Sequence, residues 1–352
     1  MRPMIFLQPQ QAIGASSPLL EIFVSDQDGR LFDVHAAEFQ IWTIGASATQ
    51  VYPASAGNWQ AATRLSVGRY TATWTAPAPG DGVVGRREIR WRWQRTSTSA
   101  LEEGRQTFEI VGWARISRGY CGVQDMRDEG LAAGGADEAR CLAAIQRATA
   151  LIERATGVLW FYPKPLQMVL DGPSTSVLRL PEPLLAIEDV RDRSSDGTFT
   201  SATPFSASEI AIYARPWEPA ERAAGSRLER VYGGAAYSDT YGSSARWGRG
   251  RQRYQVRGVF GIAEPIDAAG LVLGDTPFLI RQAAVRLALA GAEGQVFGAG
   301  SGASGPVKRE RTRDQEIEYF QGTATSVGVT SDAEVNEIIA MYRRALRSAV
   351  VA

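Results

Sequence analysis

The sequence predicts an α+β, multidomain chain. An all-β sandwich over residues 1–112 is followed by a mainly helical domain over 113–352, which carries a β-rich insertion at about 158–262. Three observations predict it: short runs alternating apolar and polar residues before Trp113, an apolar stripe at helical spacing from Cys141 to Ala155, and two further capped apolar runs near the C-terminus. At 352 residues the chain is also longer than one core ordinarily supports.

In the first part, GRYTATW puts Tyr70, Ala72 and Trp74 on one face of a strand. EIRWRWQ puts Ile89, Trp91 and Trp93 on one face and Arg90 and Arg92 on the other. This is the pattern of half-buried antiparallel strands. LEIFVS, FQIWTI and FEIVGW supply more, and APAPGDG is a turn-rich connection.

After Trp113 the period changes. Cys141, Ile145, Ala148, Ile152 and Ala155 recur at spacings of four and three, which predicts a helix over about 137–156, with Asp137 as its N-cap and Gly157 as its stop. LWFYPKPLQMVLDG, VLRLPEPLLAIEDVRD, EIAIYARP, LERVYGG and RYQVRGVFG read as the strands of the insertion. Thr276-Pro277 opens a second helix, about 277–290. Ser331 and Glu334 form a capping box for a third, about 331–348, with an apolar face of Val335, Ile338, Ile339, Tyr342 and Leu346. Arg343, Arg344 and Arg347 sit where the helix dipole favours positive charge.

Lysine plus arginine and aspartate plus glutamate both total 38, so the whole chain does not advertise nucleic acid or membrane as its main partner, and any basic patch is local. Cys121 and Cys141 are too few for a disulfide framework, which fits a reducing compartment. The start MRPMIFLQPQQ lacks the apolar core of a signal peptide, and no apolar run reaches the length of a membrane span.

The search for chemistry excludes more than it finds. Gly300-Ser301-Gly302-Ala303-Ser304-Gly305 matches a dinucleotide fingerprint, yet it follows a helix where a strand is required. The run with Gly298, Gly300, Gly302 and Gly305 therefore reads as a flexible loop. A single histidine, His35, argues against metal centres and histidine-dependent triads. Asp26, Asp28 and Gly29 resemble part of a calcium loop, but the flanking ligand positions hold Val24 and His35; Asp28-Gly29 is a hairpin turn. Cys141 belongs to a helix stripe, and Cys121 has no evident base beside it. No enzyme, cofactor or metal is expected.

One constellation remains. ARWGRGRQRYQVR sets Arg246, Arg249, Arg251, Arg253 and Arg257 among Trp247 and Tyr254, which suits either non-specific contact with DNA or a solvated hairpin whose arginine stems cover apolar surface. A second class of function also stays open. Trp42, Trp74, Trp91 and Trp93 fit a sandwich core or, in a carbohydrate-binding or adhesion protein, a sugar platform.

Four ordered stretches carry a resemblance. AIQRATALIERATGVLWF with LDG, then LPEPLLAIEDV, then VRGVFGIAEPI before an alanine- and leucine-rich helix, then EIEYF and DAEVNEIIAMYRRAL together resemble the head–tail connector, or adaptor, family of tailed bacteriophages across about residues 115–350. The first part resembles immunoglobulin-like or fibronectin-like modules. The resemblance implies an adaptor domain that builds a closed ring, typically a dodecamer. A portal protein would lie on one side, a stopper or tail-terminator on the other, and DNA in the lumen. The place is the neck of the virion, assembled in host cytoplasm, with no membrane involved. It implies that Val335, Ile338, Ile339, Tyr342 and Leu346 dock into the portal, the alternative being packing on their own domain. Arg246, Arg249, Arg251 and Arg253 would face DNA or a neighbouring subunit. The glycine run would order on assembly, with 294–330 partly disordered in the isolated monomer.

Overall fold

The computed structural model describes residues 4–7, 12–13, 20–26, 28–44, 48–76, 85–111, 118–132, 134–193, 197–206, 209–213, 227–230, 246–266, 272–294, 309–312, 315–318, 330 and 332–343. Alternation in the first part builds two facing sheets. One runs Arg118–Gly119, Met4–Leu7, Leu101–Ile110, Gly85–Gln94, Ala36–Thr43, Gln50–Tyr52, with Gln60–Ala61 also on Ala36–Thr43. The long pair Gly85–Gln94 and Leu101–Ile110 is antiparallel and in register throughout, so Ile89, Trp91 and Trp93 fall on the inner face with no exposure. They pack with Phe39, Ile41, Phe108 and Trp74, and Trp91 Nε1 donates to Gln106 Oε1 at 3.2 Å.

The facing sheet runs Glu264–Pro265, Val272–Asp275, Glu21–Val24, Arg69–Thr71, Thr63–Ser66. Two of its strands come from far along the chain. The sandwich is therefore not closed within residues 1–112: Val272 pairs with Val24 and is fully buried in its core.

Beyond the sandwich lies a second β unit. Lys164–Gly172, Gly250–Phe260 and Leu184–Asp192 form one three-stranded sheet, and Val177–Arg179, Arg227–Arg230 and Ile210–Tyr213 form another. Leu178, Leu184, Val190, Leu228, Tyr254, Val256, Phe260 and Trp247 make its core. Phe23 and Leu31 of the sandwich pack with Leu185, Ala186 and Val259 of this unit, and the turn at Gly29 exchanges backbone hydrogen bonds with Ile187.

Four helices complete the described chain: α1 (Val123–Asp128), α2 (Glu138–Thr156), α3 (Phe278–Ala292) and α4 (Ala333–Tyr342). Asp137 caps α2 by accepting from the Arg140 N–H at 2.7 Å, and Gly157 ends it in the left-handed conformation at φ 70°. Pro277 stands at the N-cap of α3. α4 is capped by Asp332, which accepts from Glu334 and Val335, while Ser331 lies outside the described residues. The helix ends at Tyr342 because Arg343 is extended, so it is shorter than the expected 331–348.

The expected fold class, an all-β N-terminal sandwich followed by a helical domain with a β-rich insertion, is overturned. Among the described residues strands outweigh helices about two to one, in four sheets of three strands or more. The reason is physical. The three capped helical patterns yield single helices of 19, 15 and 10 residues, whereas strands recur along the whole described chain, KPLQMVLDG, LLAIEDVRD and GRQRYQVRGVF among them at nine to eleven residues each. Strand also continues to Asp275, past the expected end of the insertion.

Close packing of the second unit depends on Gly258. A Cβ there would lie 2.4 Å from the Ala186 carbonyl oxygen and 3.2 Å from the Ile187 Cα, both backbone. Gly258→Ala is expected to destabilise the fold by about 1–3 kcal/mol in urea titration. Gly134→Ala, where a Cβ meets nothing within 4 Å, should leave the midpoint within about 0.5 kcal/mol.

Candidate functional site

The densest charged cluster among the described residues lies where sandwich and helices meet. Phe108 points into the sandwich, so alternation turns its neighbour Glu109 the other way, onto the start of α1. There its carboxylate accepts from the Val123 N–H at 2.8 Å and the Gln124 N–H at 2.9 Å, serving two of the donors a helix start leaves over. Gly122 makes this approach possible, since a Cβ there would fall 2.4 Å from Glu109 Oε1. Asp125 reaches back to the Gly122 N–H at 2.8 Å and binds two guanidinium groups: Arg86 from the sandwich strand Gly85–Gln94 and Arg281 from α3. Arg86 also lies 3.8 Å from Glu109 and 3.5 Å from Asp128.

Glu109 is 2% exposed and Asp125 6%. Burial pushes the Glu109 carboxyl up, while the two backbone N–H groups and Arg86 hold it down. Each charge in the cluster faces an opposite one, and the pairs link Arg86 and Glu109 of two sandwich strands, Asp125 and Asp128 of α1, and Arg281 of α3. The arrangement is a clamp joining sandwich, α1 and α3.

Cys121 borders the clamp. Its thiol is fully enclosed, and burial pushes it well above the ordinary thiol range, with Asp125 and Glu109 adding to the rise. Cys141 is also buried, in the helix stripe. Neither forms a thiolate readily, so a disulfide-exchange reagent should label no thiol quickly in the native chain and two after denaturation. One fast-reacting native thiol would contradict this burial.

The arginine run divides in two. Arg253 grips Asp192 with two hydrogen bonds at 2.9 Å, and Arg257 pairs with Glu188 at 3.1 Å and Asp189 at 3.3 Å. Arg246, Arg249 and Arg251 are exposed and make no ion pair among the described residues. The interleaved Trp247 and Tyr254 are 0% and 1% exposed and meet edge to face at 4.9 Å. They are core residues and offer no stacking surface.

The tryptophans of the sandwich are equally committed. Trp74, Trp91 and Trp93 lie in its core. Trp42 is on the outer face, where Arg90 covers its ring at 4.0 Å and its Nε1 donates to Gln40 at 2.9 Å. Trp59, which sequence reading passed over, sits under Arg92 at 4.4 Å.

Val335, Ile338, Ile339 and Tyr342 are at most 6% exposed and pack with Ile145, Ile152, Ile280 and Phe161. Tyr342 meets Phe161 edge to face at 5.6 Å. Arg286 of α3 holds the outer side of α4 through Glu334 at 2.7 Å. This stripe is occupied by the chain's own core and is not available to a groove on another protein unless α4 leaves its seat. Leu346, Gly298, Gly300, Gly302 and Gly305 lie outside the described residues. Of 294–330, only Gly294, the hairpin of Arg309–Thr312 with Gln315–Glu318, and Thr330 fall within them.

His35 is exposed, and its backbone N–H donates to the Gln94 carbonyl at 2.8 Å. Asp26 accepts from the Arg30 N–H at 2.8 Å within a tight turn. Among the described residues no group of three metal-ligating side chains occurs, and no helix is long and apolar enough to cross a membrane.

Sequence reading missed the clamp. Its one signal is Glu109 in FEIVGW, a carboxylate between apolar residues on a strand whose other face is core. A scan against protein-family models finds no match to this chain, and a search of curated proteins finds none either.

Proposed function

We propose that this chain is a structural connector at the head–tail junction of a tailed phage. Its copies close into a ring by head-to-tail contacts, between a portal protein and a stopper or tail-terminator. The observation that carries the reading is the clamp, together with the strand Val272–Asp275 that inserts into the sandwich. Through them the sandwich, the second β unit and the helices are fastened into one body. A ring subunit must pass the position of one neighbour on to another, and that requires parts which do not turn independently.

The ordered resemblance of four sequence stretches supports the same reading. With α4 seated, Val335, Ile338, Ile339 and Tyr342 are buried in the chain's own core and offer the portal no docking surface. No catalytic step is assigned. The carbohydrate-binding alternative gains no support, since the outer-face rings of Trp42 and Trp59 lie under arginines.

Gold-labelled antibody raised against the sandwich tests the proposal on purified particles of the phage that encodes the chain. Label confined to one locus per particle, between head and tail, is expected. Label at the tail tip, over the capsid shell or absent from particles would refute it.

A further inference from the structure

We infer that the end of the second β unit bearing Arg246, Arg249 and Arg251 is a contact site for the phosphate backbone of double-stranded DNA, bound without regard to base sequence. The inference rests on the connector reading, in which DNA passes close to every copy. Its physical basis is local. Three guanidinium groups stand within six residues, all exposed and none matched by a carboxylate among the described residues. Further along the same strand the pattern is the opposite, with Arg253 and Arg257 each taking acidic partners. Among the described residues this end of the unit thus carries an excess of positive charge, three unpaired arginines against the one exposed carboxylate of Asp171, which accepts from the Gln252 N–H.

The three arginines are also held on a stiff mount. Gly172 and Gly250 pair across the strands, and a Cβ on Gly172 would fall 1.8 Å from the Gly248 carbonyl oxygen, so backbone rests directly on backbone. The Trp247 N–H donates to the Thr175 carbonyl at 2.8 Å, the Gly248 N–H to Tyr254 Oη at 2.6 Å, and the Gln252 N–H to Asp171 at 2.6 Å. Beneath them the Trp247 and Tyr254 rings fill the core. Charges fixed in this way lose little backbone freedom on binding. An open cleft of about 510 Å³ adjoins the mount, and Arg179 on its wall adds a fourth exposed cation.

The burial of both aromatic rings selects among nucleic acids. A single-strand site stacks bases on aromatic side chains, and among the described residues Trp247 and Tyr254 of this run are buried and present none. What remains is guanidinium to phosphate, the interaction that a duplex offers all around its surface, at one charge per about 1.7 Å of axis.

Fluorescence anisotropy of the full chain with a labelled random-sequence duplex, between 50 and 200 mM salt, tests the inference. Engagement of three phosphates gives a log–log slope of about −2.7, which is about fortyfold weaker binding across that range. Combined R246Q, R249Q and R251Q should abolish most of the slope, while the triple lysine variant should keep it. R105Q, which removes an exposed arginine of the sandwich, should change nothing. Unaltered binding by the triple glutamine variant overturns the inference, as does a wild-type chain that fails to bind at 50 mM salt. So does displacement of the duplex by polyglutamate at equal charge, which would mean an acidic protein is the partner. These outcomes are separate from that of the connector reading, because labelling at the neck of the particle does not depend on them.

Discussion

Replacing Asp125 with alanine is expected to destabilise the folded chain by about 3–5 kcal/mol, because it breaks a buried ion-pair cluster. The carboxylate is 6% exposed and serves Arg86 and Arg281 at once, with side chains 17% and 16% exposed. Without it, two buried cations face each other with only Glu109 and Asp128 nearby, and the start of α1 loses the acceptor for the Gly122 N–H. Asp125→Asn keeps shape and that acceptor but not the charge, so its loss should fall between wild type and alanine. The measurement is equilibrium unfolding in urea. Limited proteolysis adds a local readout: cleavage between the sandwich and α1 should accelerate in Asp125→Ala before global unfolding. A variant as stable and as protease-resistant as wild type would mean that the clamp does not hold the joint.

Trp247→Ala carries the second large effect, also about 3–5 kcal/mol. The indole is fully buried, donates to the Leu228 carbonyl at 3.3 Å, and contacts Phe205 and Tyr254 edge to face. It is the largest side chain in the described core of the second β unit, beside Tyr254 and Phe260, so its removal leaves a cavity under the arginine-bearing end. Loss of near-ultraviolet dichroism together with a lowered urea midpoint is expected. An unchanged midpoint would place Trp247 outside the core.

Much of the local structure was legible before any coordinates. Alternation in GRYTATW and EIRWRWQ placed Trp74, Trp91 and Trp93 inward, and the three-and-four spacing from Cys141 placed a helix face, because burial on one side imposes those periods. The balance between helix and strand was not legible in the same way. Caps and stripes make helices easy to see, whereas the strands of the second unit are broken by register shifts near Leu170 and Ala186 and by connections of uneven length.

Long-range pairing was equally hidden. Nothing in VLGD states that it belongs beside Glu21–Val24, some 250 residues earlier in the chain, since a four-residue strand carries no address. The site suffered from the same gap. Arg246 to Arg257 looked uniform in sequence, and only the positions of Asp192, Glu188 and Asp189 separate the paired arginines from the free ones. The clamp needs residues 86, 109, 125 and 281 together, and no spacing rule links them.

Electron microscopy of the purified chain mixed with the portal protein that the connector proposal requires tests the central claim most directly. Class averages should show a closed ring of identical copies seated on the portal, with the sandwich sharp in the same position on every subunit. Dispersed single subunits, or a ring in which the sandwich blurs away because it swings freely, would contradict it.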